Sequence, residues 1–222
     1  MNIESIKNDF IKAKSETKEV YFKNLISKNP DWSSFVSAIN NKYNNPEKKH
    51  VESGDKRFIV KEGVFIDGIP QTIETDILIY NKMDLQVWNV LSQGPDDRVN
   101  GQEFIPESKE FTDIFTKVIG TTQWGIKSLV NLVGNESYYS PHKDVVDVLS
   151  WHCIGTVTYK IYDGVSSDQF EVPLNVEGRN FTEYNLSPGD VIFIPKGVIH
   201  EVIVDQPRAT LIMNFHFQNL ND

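Results

Sequence analysis

The residues that could do chemistry in this chain fall in two short stretches. His142-Lys143-Asp144 sits in a β-like run, and Ser187-Pro-Gly-Asp-Val-Ile-Phe-Ile-Pro-Lys-Gly-Val-Ile-His200 ends in a second histidine. Two imidazoles and one carboxylate can hold one face of a divalent ion such as Fe(II) and leave the other face open to an oxidant and a substrate. In an extended strand alternate side chains share a face, so His142 and Asp144 are expected to point the same way, with Lys143 opposite. The third ligand then comes from a distant strand brought alongside. His200 follows Asp144 by 56 residues, room for several antiparallel strands and turns. The arrangement describes a small barrel with a metal at its mouth.

An H-x-D triplet alone is a weak signal, and a single histidine is more often a hydrogen-bonded surface or core group than a ligand. The context of His200 sharpens the reading. Pro188-Gly189-Asp190 reads as a turn, residues 191–194 as an apolar strand, and Pro195-Lys196-Gly197 as a second turn delivering His200 to the start of a strand over 201–204. His152 lies ten positions beyond His142 on an extended strand. At roughly 3.3 Å per residue that is too far to share the ion. His216 alternates with Phe215 and Phe217 and reads as a surface or supporting residue; His50, in a polar loop, reads as a solvated histidine.

The run Ser140-Pro-His142-Lys-Asp144-Val-Val-Asp-Val-Leu-Ser-Trp-His-Cys-Ile-Gly155-Thr-Val157-Thr-Tyr159-Lys160-Ile-Tyr162 resembles the "P-H-x-D, apolar strand, G-x-K/R-x-W-x-x-Y" stretch of the JmjC and cupin-like iron and 2-oxoglutarate-dependent oxygenases. Leu186 to Glu201 is similar to the same family's "L-x-P-G-D-x-L-Y-I-P-x-G-x-x-H" signature. The resemblance is specific over about residues 131–201. It implies a mainly β fold with flanking α-helices, a double-stranded β-helix (jelly-roll or cupin) barrel. His142, Asp144 and His200 are then the iron ligands. The cofactor implied is Fe(II), with 2-oxoglutarate and O2 as co-substrates, and the activity is hydroxylation coupled to conversion of 2-oxoglutarate into succinate and CO2.

One position departs from the family pattern. Where many of these enzymes carry a lysine or arginine that holds the distal carboxylate of 2-oxoglutarate, this chain has Val157. A dianionic oxoacid inside a barrel needs a compensating cation or several donors, because an unpaired buried charge is very costly. Arg208 and Thr210, on the expected strand after His200, are candidates, since other branches of the oxygenase superfamily place a basic anchor after the distal histidine; beside Pro207, Arg208 reads equally as an exposed turn residue. Lys160 qualifies if a bulge turns it inward, and otherwise reads as a snorkelling surface lysine. Tyr139, with Tyr138 beside it, and Asn131 and Asn214 could also bond a ligand carboxylate; the tyrosines could equally pack at the barrel mouth and the asparagines satisfy backbone groups. Trp151 and Tyr159 read as core. Val157 keeps an alternative open, a non-catalytic or 2-oxoglutarate-independent metal-binding cupin.

Composition bounds the rest. The 222 residues suit one compact domain, 39% hydrophobic and 11% aromatic. A net charge of −9 gives no general attraction for nucleic acid or anionic membranes. Cys153 is the single cysteine and reads as a small buried apolar group, so neither a disulfide nor a Cys-rich zinc site can form. No apolar run of signal-peptide or membrane-span type is visible, so a cytoplasmic location is expected. The partner is expected to be a peptide or small-molecule substrate, and the chain a monomer or weak dimer, since it stops soon after the last expected strand.

The elements that must position these residues read as a helical N-terminal part, about residues 1–45, packed on a barrel. Ile3, Ile6, Phe10, Ile11 and Ala13 recur at helical spacing, and residues 20–26 read as a short strand and turn. Asp31 or Ser33 caps a second helix carrying Trp32, Phe35, Val36 and Ile39. Residues 57–65 and 72–80 are expected as strands about an Asp67-Gly68-Ile69-Pro70 turn, 84–91 as a short helix, and 92–102 as a loop over the substrate channel. Residues 107–119 read as a helix with Ser108 as its cap, and 124–133 as the first central strand. Strands over 201–204 and 209–215 are expected to pair across the intervening turn.

Overall fold

The computed structural model describes residues 2–35, 64–66, 69–71, 85–87, 105–120, 124–131, 137–165 and 174–215. Helix α1 (Ile3–Glu16) starts where the Asn2 side chain accepts the Glu4 and Ser5 amides, and it buries Ile6, Phe10 and Ala13. The chain continues through β1 (Val20–Phe22), β2 (Val64–Ile66), β3 (Ile69–Gln71), β4 (Leu85–Val87), helix α2 (Ser108–Ile119), β5 (Trp124–Asn131), β6 (Ser137–His142) and β7 (Asp147–Ile154). It ends with β8 (Val157–Val165), β9 (Phe181–Leu186), β10 (Val191–Ile194), β11 (Val198–Val204) and β12 (Arg208–Phe215). Among the described residues no helix is long and apolar enough to cross a membrane.

The strands form a six-stranded sheet, β1-β10-β7-β12-β5-β4, and a four-stranded sheet, β6-β11-β8-β9, both antiparallel, with β2-β3 as a separate hairpin. From β5 onward the chain crosses between the two large sheets at every step except β8 to β9. That weave is the jelly roll implied by the sequence resemblance. It also explains why the central strands read as unbroken apolar runs, since the six-stranded sheet is covered on both faces. On its outer face Leu149, Trp151, Phe193, Leu211 and Met213 pack against Phe10, Phe111 and Phe115 of the two helices. On its inner face Val148, Ile192, Ile194 and Ile212 meet Val157, Tyr159, Ile161 and Val202 of the smaller sheet.

Several local expectations are corrected. Residues 85–87 are a strand paired with β5, because Leu-Gln-Val alternates with period two and finds a sheet edge. Ile66 pairs with Ile69, so Ile69 and Pro70 belong to the strand and not to the turn. Ser108 does not cap α2: it is the first helical residue, fully buried, and Glu107 at the cap position makes no side-chain capping hydrogen bond. β11 and β12 do not pair with each other but enter different sheets, β11 between β6 and β8 and β12 between β5 and β7. Asp31 does cap the helical turn at 32–35, accepting the Ser34 amide at 3.0 Å. The rest of that helix, the 92–102 loop, His50 and His216 lie outside the described residues.

Candidate metal centre

The three expected ligands meet. His142 is the last residue of β6 and pairs in register with His200, the third residue of β11, so the imidazoles stand side by side with ring centroids 4.3 Å apart. Asp144 lies beyond the end of β6, in the connection to β7, and not in one strand with His142 as the spacing suggested. Its Oδ2 is 3.6 Å from His200 Nε2. One donor atom from each of the three residues lies within 4.8 Å of the other two. Two donors at roughly 2.1 Å from one ion stand at most about 4.2 Å apart, so small side-chain rotations complete the site.

The backbone fixes how each imidazole presents itself. His142 Nδ1 is 2.8 Å from the Ser140 carbonyl and His200 Nδ1 is 3.1 Å from the Val198 carbonyl. A carbonyl only accepts, so both Nδ1 atoms carry the proton and both Nε2 lone pairs are left for a metal. Asp144 is held through its own carbonyl, which accepts the Gly197 amide at 3.1 Å. Below it the buried Asp147 carboxylate accepts Lys14 Nζ at 2.6 and 2.8 Å and the Lys196 amide at 2.8 Å. Helix α1, the connection carrying Asp144 and the turn leading to His200 are tied together at that one carboxylate. Asp147 was missed in the sequence reading; its signal was a carboxylate amid an apolar strand.

A cavity of about 60 Å³ opens on this cluster. His142, Asp144 and His200 share its wall with Leu129, Val148, Tyr159, Ile194, Val202, Ile212 and Arg208. A larger cavity, about 250 Å³, lies among Glu16, Glu19, Tyr162, Asp163 and Thr182 and includes none of the ligand side chains.

Arg208 is fully buried, not an exposed turn residue. Its Nη1 donates to Thr210 Oγ1 at 2.8 Å, and that oxygen lies 3.1 Å from Nδ1 of His152, also fully buried. Gly155 seats this cluster. At φ +75° it adopts a left-handed conformation, and a Cβ there would fall 2.4 Å from the Pro207 carbonyl and 3.2 Å from Arg208 Cβ. Only a glycine lets the turn after β7 lie against the start of β12. Burial, and then the Arg208 guanidinium, push His152 down to about 3, against the opposing pull of the Gly155 backbone and Asp190. The imidazole is therefore neutral.

The other anchor candidates separate cleanly. Val157 is buried in the inner apolar cluster. Lys160 lies on the opposite face of β8 from Tyr159 and Ile161, its Nζ 3.1 Å from Glu201 and 5.0 Å above the Phe181 ring. Strand alternation holds it outside the cavity, so it leaves the set of anchors. Thr210 and Asn214 share the inward face of β12 with Arg208, but neither lines the cavity. Asn131 pairs with Arg208 and Tyr139 with Val202 in the backbone register; their side chains lie outside the described residues. Trp151 and Tyr159 are both core, as expected, and Tyr159 in addition lines the cavity and shares a 2.9 Å hydrogen bond with Ser150.

Comparison with curated proteins gives no match. Among solved structures, Escherichia coli YcfD superposes with a TM-score of 0.56 at 16% identity, over 96% of this chain and 53% of that one. YcfD from Escherichia coli, a ribosomal oxygenase, in complex with cobalt and 2-oxoglutarate gives 0.51 at 17% identity, over 96% and 52%. Its complex with cobalt and succinic acid gives the same values. The chain thus spans about half the length of the YcfD structures it matches, and at this identity the likeness is one of fold. The JmjC domain family model matches residues 98–222, a stretch that includes α2, all three candidate metal ligands and the Arg208 cluster. The chain belongs to the JmjC domain family.

Proposed function

We propose that this chain is an Fe(II)- and 2-oxoglutarate-dependent oxygenase, a hydroxylase acting on a peptide or small molecule. The observation that carries the reading is one cavity wall presenting both a His142-Asp144-His200 cluster and a buried arginine. The donor set fits Fe(II): two neutral imidazole nitrogens and a carboxylate that offsets part of the dication's charge. When bound, iron and 2-oxoglutarate supply the oxidising power, using O2 and releasing succinate and CO2 as a substrate C–H bond is hydroxylated.

The chain's own residues bind, orient and exclude water. His142 and His200 offer Nε2, held in that tautomer by the Ser140 and Val198 carbonyls. Arg208 meets the far carboxylate of the oxoacid with a planar, permanently charged fork of donors. Leu129, Val148, Ile194, Val202 and Ile212 keep the intervening space apolar. The charge that Val157 does not supply from β8 comes from β12.

The test is anaerobic titration of the Fe(II) protein with 2-oxoglutarate, followed by exposure to O2. A metal-to-oxoacid charge-transfer band and slow succinate release without added substrate are expected. His142→Ala, Asp144→Ala and His200→Ala should each lose the metal, with Mn, Co or Ni able to replace iron in the unmodified protein. Full metal occupancy without band or succinate would support a cupin that does not use 2-oxoglutarate.

A further inference from the structure

Helix α1 lies outside residues 98–222, the part of the chain that matches the JmjC family, yet it reaches the backbone that carries the candidate metal ligands. Phe10 stacks on Phe193 of β10 with ring centroids 4.3 Å apart. Lys14 stands one turn further along the same helix face, and β10 ends at Ile194, which pairs with Val148 of β7. That register brings the lysine to Asp147, the first residue of β7, across 133 positions of sequence. A lysine in the last turn of a helix is ordinarily explained by the helix dipole, with its ammonium in water. Here Nζ forks both oxygens of a buried carboxylate, at 2.6 and 2.8 Å.

That carboxylate in turn holds backbone. Asp147 Oδ1 accepts the Lys196 amide at 2.8 Å, and the next amide, that of Gly197, donates to the Asp144 carbonyl at 3.1 Å. Two successive amides of the 195–197 turn therefore clasp both ends of the 144–147 connection. His142 and His200 are placed by strand pairing, whereas Asp144 belongs to no strand and its side chain is 34% exposed. The clasp fixes it, with Oδ2 3.6 Å from His200 Nε2. Removing the ammonium takes an opposite charge away from a buried carboxylate, a costly change that is relieved by turning the carboxylate or by admitting water. Either response loosens its hold on the Lys196 amide.

We infer that Lys14 is a positioning residue for the candidate metal site: by fixing the Asp147 carboxylate it keeps Asp144 where an ion held by His142 and His200 needs its third ligand. This rests on the metal reading above. It makes helix α1 a working part of the site although none of its side chains lines that cavity.

The test is calorimetric titration of the metal-free full chain with Mn(II), with the thermal midpoint recorded for every variant. Lys14→Met should weaken Mn(II) binding about tenfold, the scale on which groups that support a metal ligand from behind act. Lys14→Arg keeps the charge and can fork both oxygens, so it should stay within about threefold of the unmodified protein. Lys14→Gln is neutral and should lose at least about threefold, and it stands in for methionine if that variant fails to fold. In an Asp147→Asn background Lys14→Met should change affinity by less than about twofold, because the lysine acts through that carboxylate. Phe10→Leu separates positioning from stability: it removes the ring contact with Phe193 and should lower the thermal midpoint while leaving Mn(II) affinity unchanged. Unchanged affinity in Lys14→Met or its stand-in, a loss in Lys14→Arg or Phe10→Leu as large as in Lys14→Met, or losses that add in the Asp147→Asn background would overturn the inference while leaving the metal reading intact. Absence of Mn(II) binding by the unmodified protein, or binding that persists in His142→Ala, would overturn both.

Discussion

Valine at 157 leaves the inner wall of β8 apolar, and the positive charge stands across the barrel at Arg208. Arg208→Ala should weaken 2-oxoglutarate binding by about 1.5–3 kcal/mol, the worth of a hydrogen bond to a charged group, with metal content unchanged; calorimetry on the Mn(II) form reads it. The buried histidine beside it gives a pH dependence with a definite sign. Its ordinary value is 6.5 and in the fold it is pushed down to about 3, so between these values the unfolded chain binds a proton that the folded chain refuses. Stability is then fully present above about pH 6.5 and lost as pH falls toward 3. Urea midpoints at pH 7, 6, 5 and 4 should fall less steeply in His152→Asn, by up to about 1.4 kcal/mol per pH unit. Equal slopes would mean that His152 takes up its proton as readily in the folded chain as in the unfolded one. The candidates themselves were legible in the sequence, but not their ranking. Whether Arg208 is buried, and on which face Lys160 stands, is decided by the sheets that β12 and β8 join, which no local pattern encodes.

The candidate metal site depends on connections as much as on strands. His142 ends β6, Asp144 sits in the following connection, and His200, the third residue of β11, comes shortly after the turn at 195–197, so the placement of the three candidate ligands depends on those connections. Asp147 supplies the brace by joining Lys14 and the Lys196 amide. Asp147→Ala leaves that amide and the lysine without their acceptor and should cost about 2–3 kcal/mol of stability, read by chemical denaturation. Metal affinity should fall with it although no ligand is touched. At this scale the helix over 3–16, the strand at 191–194 and the turn before His200 were readable from periodicity and Pro-Gly signals. The helix expected near 84–91 was not, because a short alternating run takes its structure from the sheet edge it meets. The hairpin expected between β11 and β12 failed for a related reason. The Asp205-Gln206-Pro207 stretch signals a change of direction but not which sheet receives the outgoing strand.

Across the whole molecule, the six-stranded sheet separates two apolar layers with different tasks. The outer layer, sealed by α1 and α2, carries the large aromatic residues, and the inner layer leaves space for a cavity between the sheets. The candidate metal ligands and Arg208 reach that cavity from β6, β11, β12 and the connection after β6, so the candidate site exists only when both sheets are assembled. Among the described residues Arg208 is the one fully buried arginine. The most direct measurement is a crystal structure of the Mn(II)-loaded chain soaked with 2-oxoglutarate. One metal ion held by His142 Nε2, Asp144 and His200 Nε2, with the oxoacid chelating it and its far carboxylate on Arg208, is the predicted result. A metal held by other residues, or an oxoacid whose far carboxylate turns away from Arg208, would contradict the account.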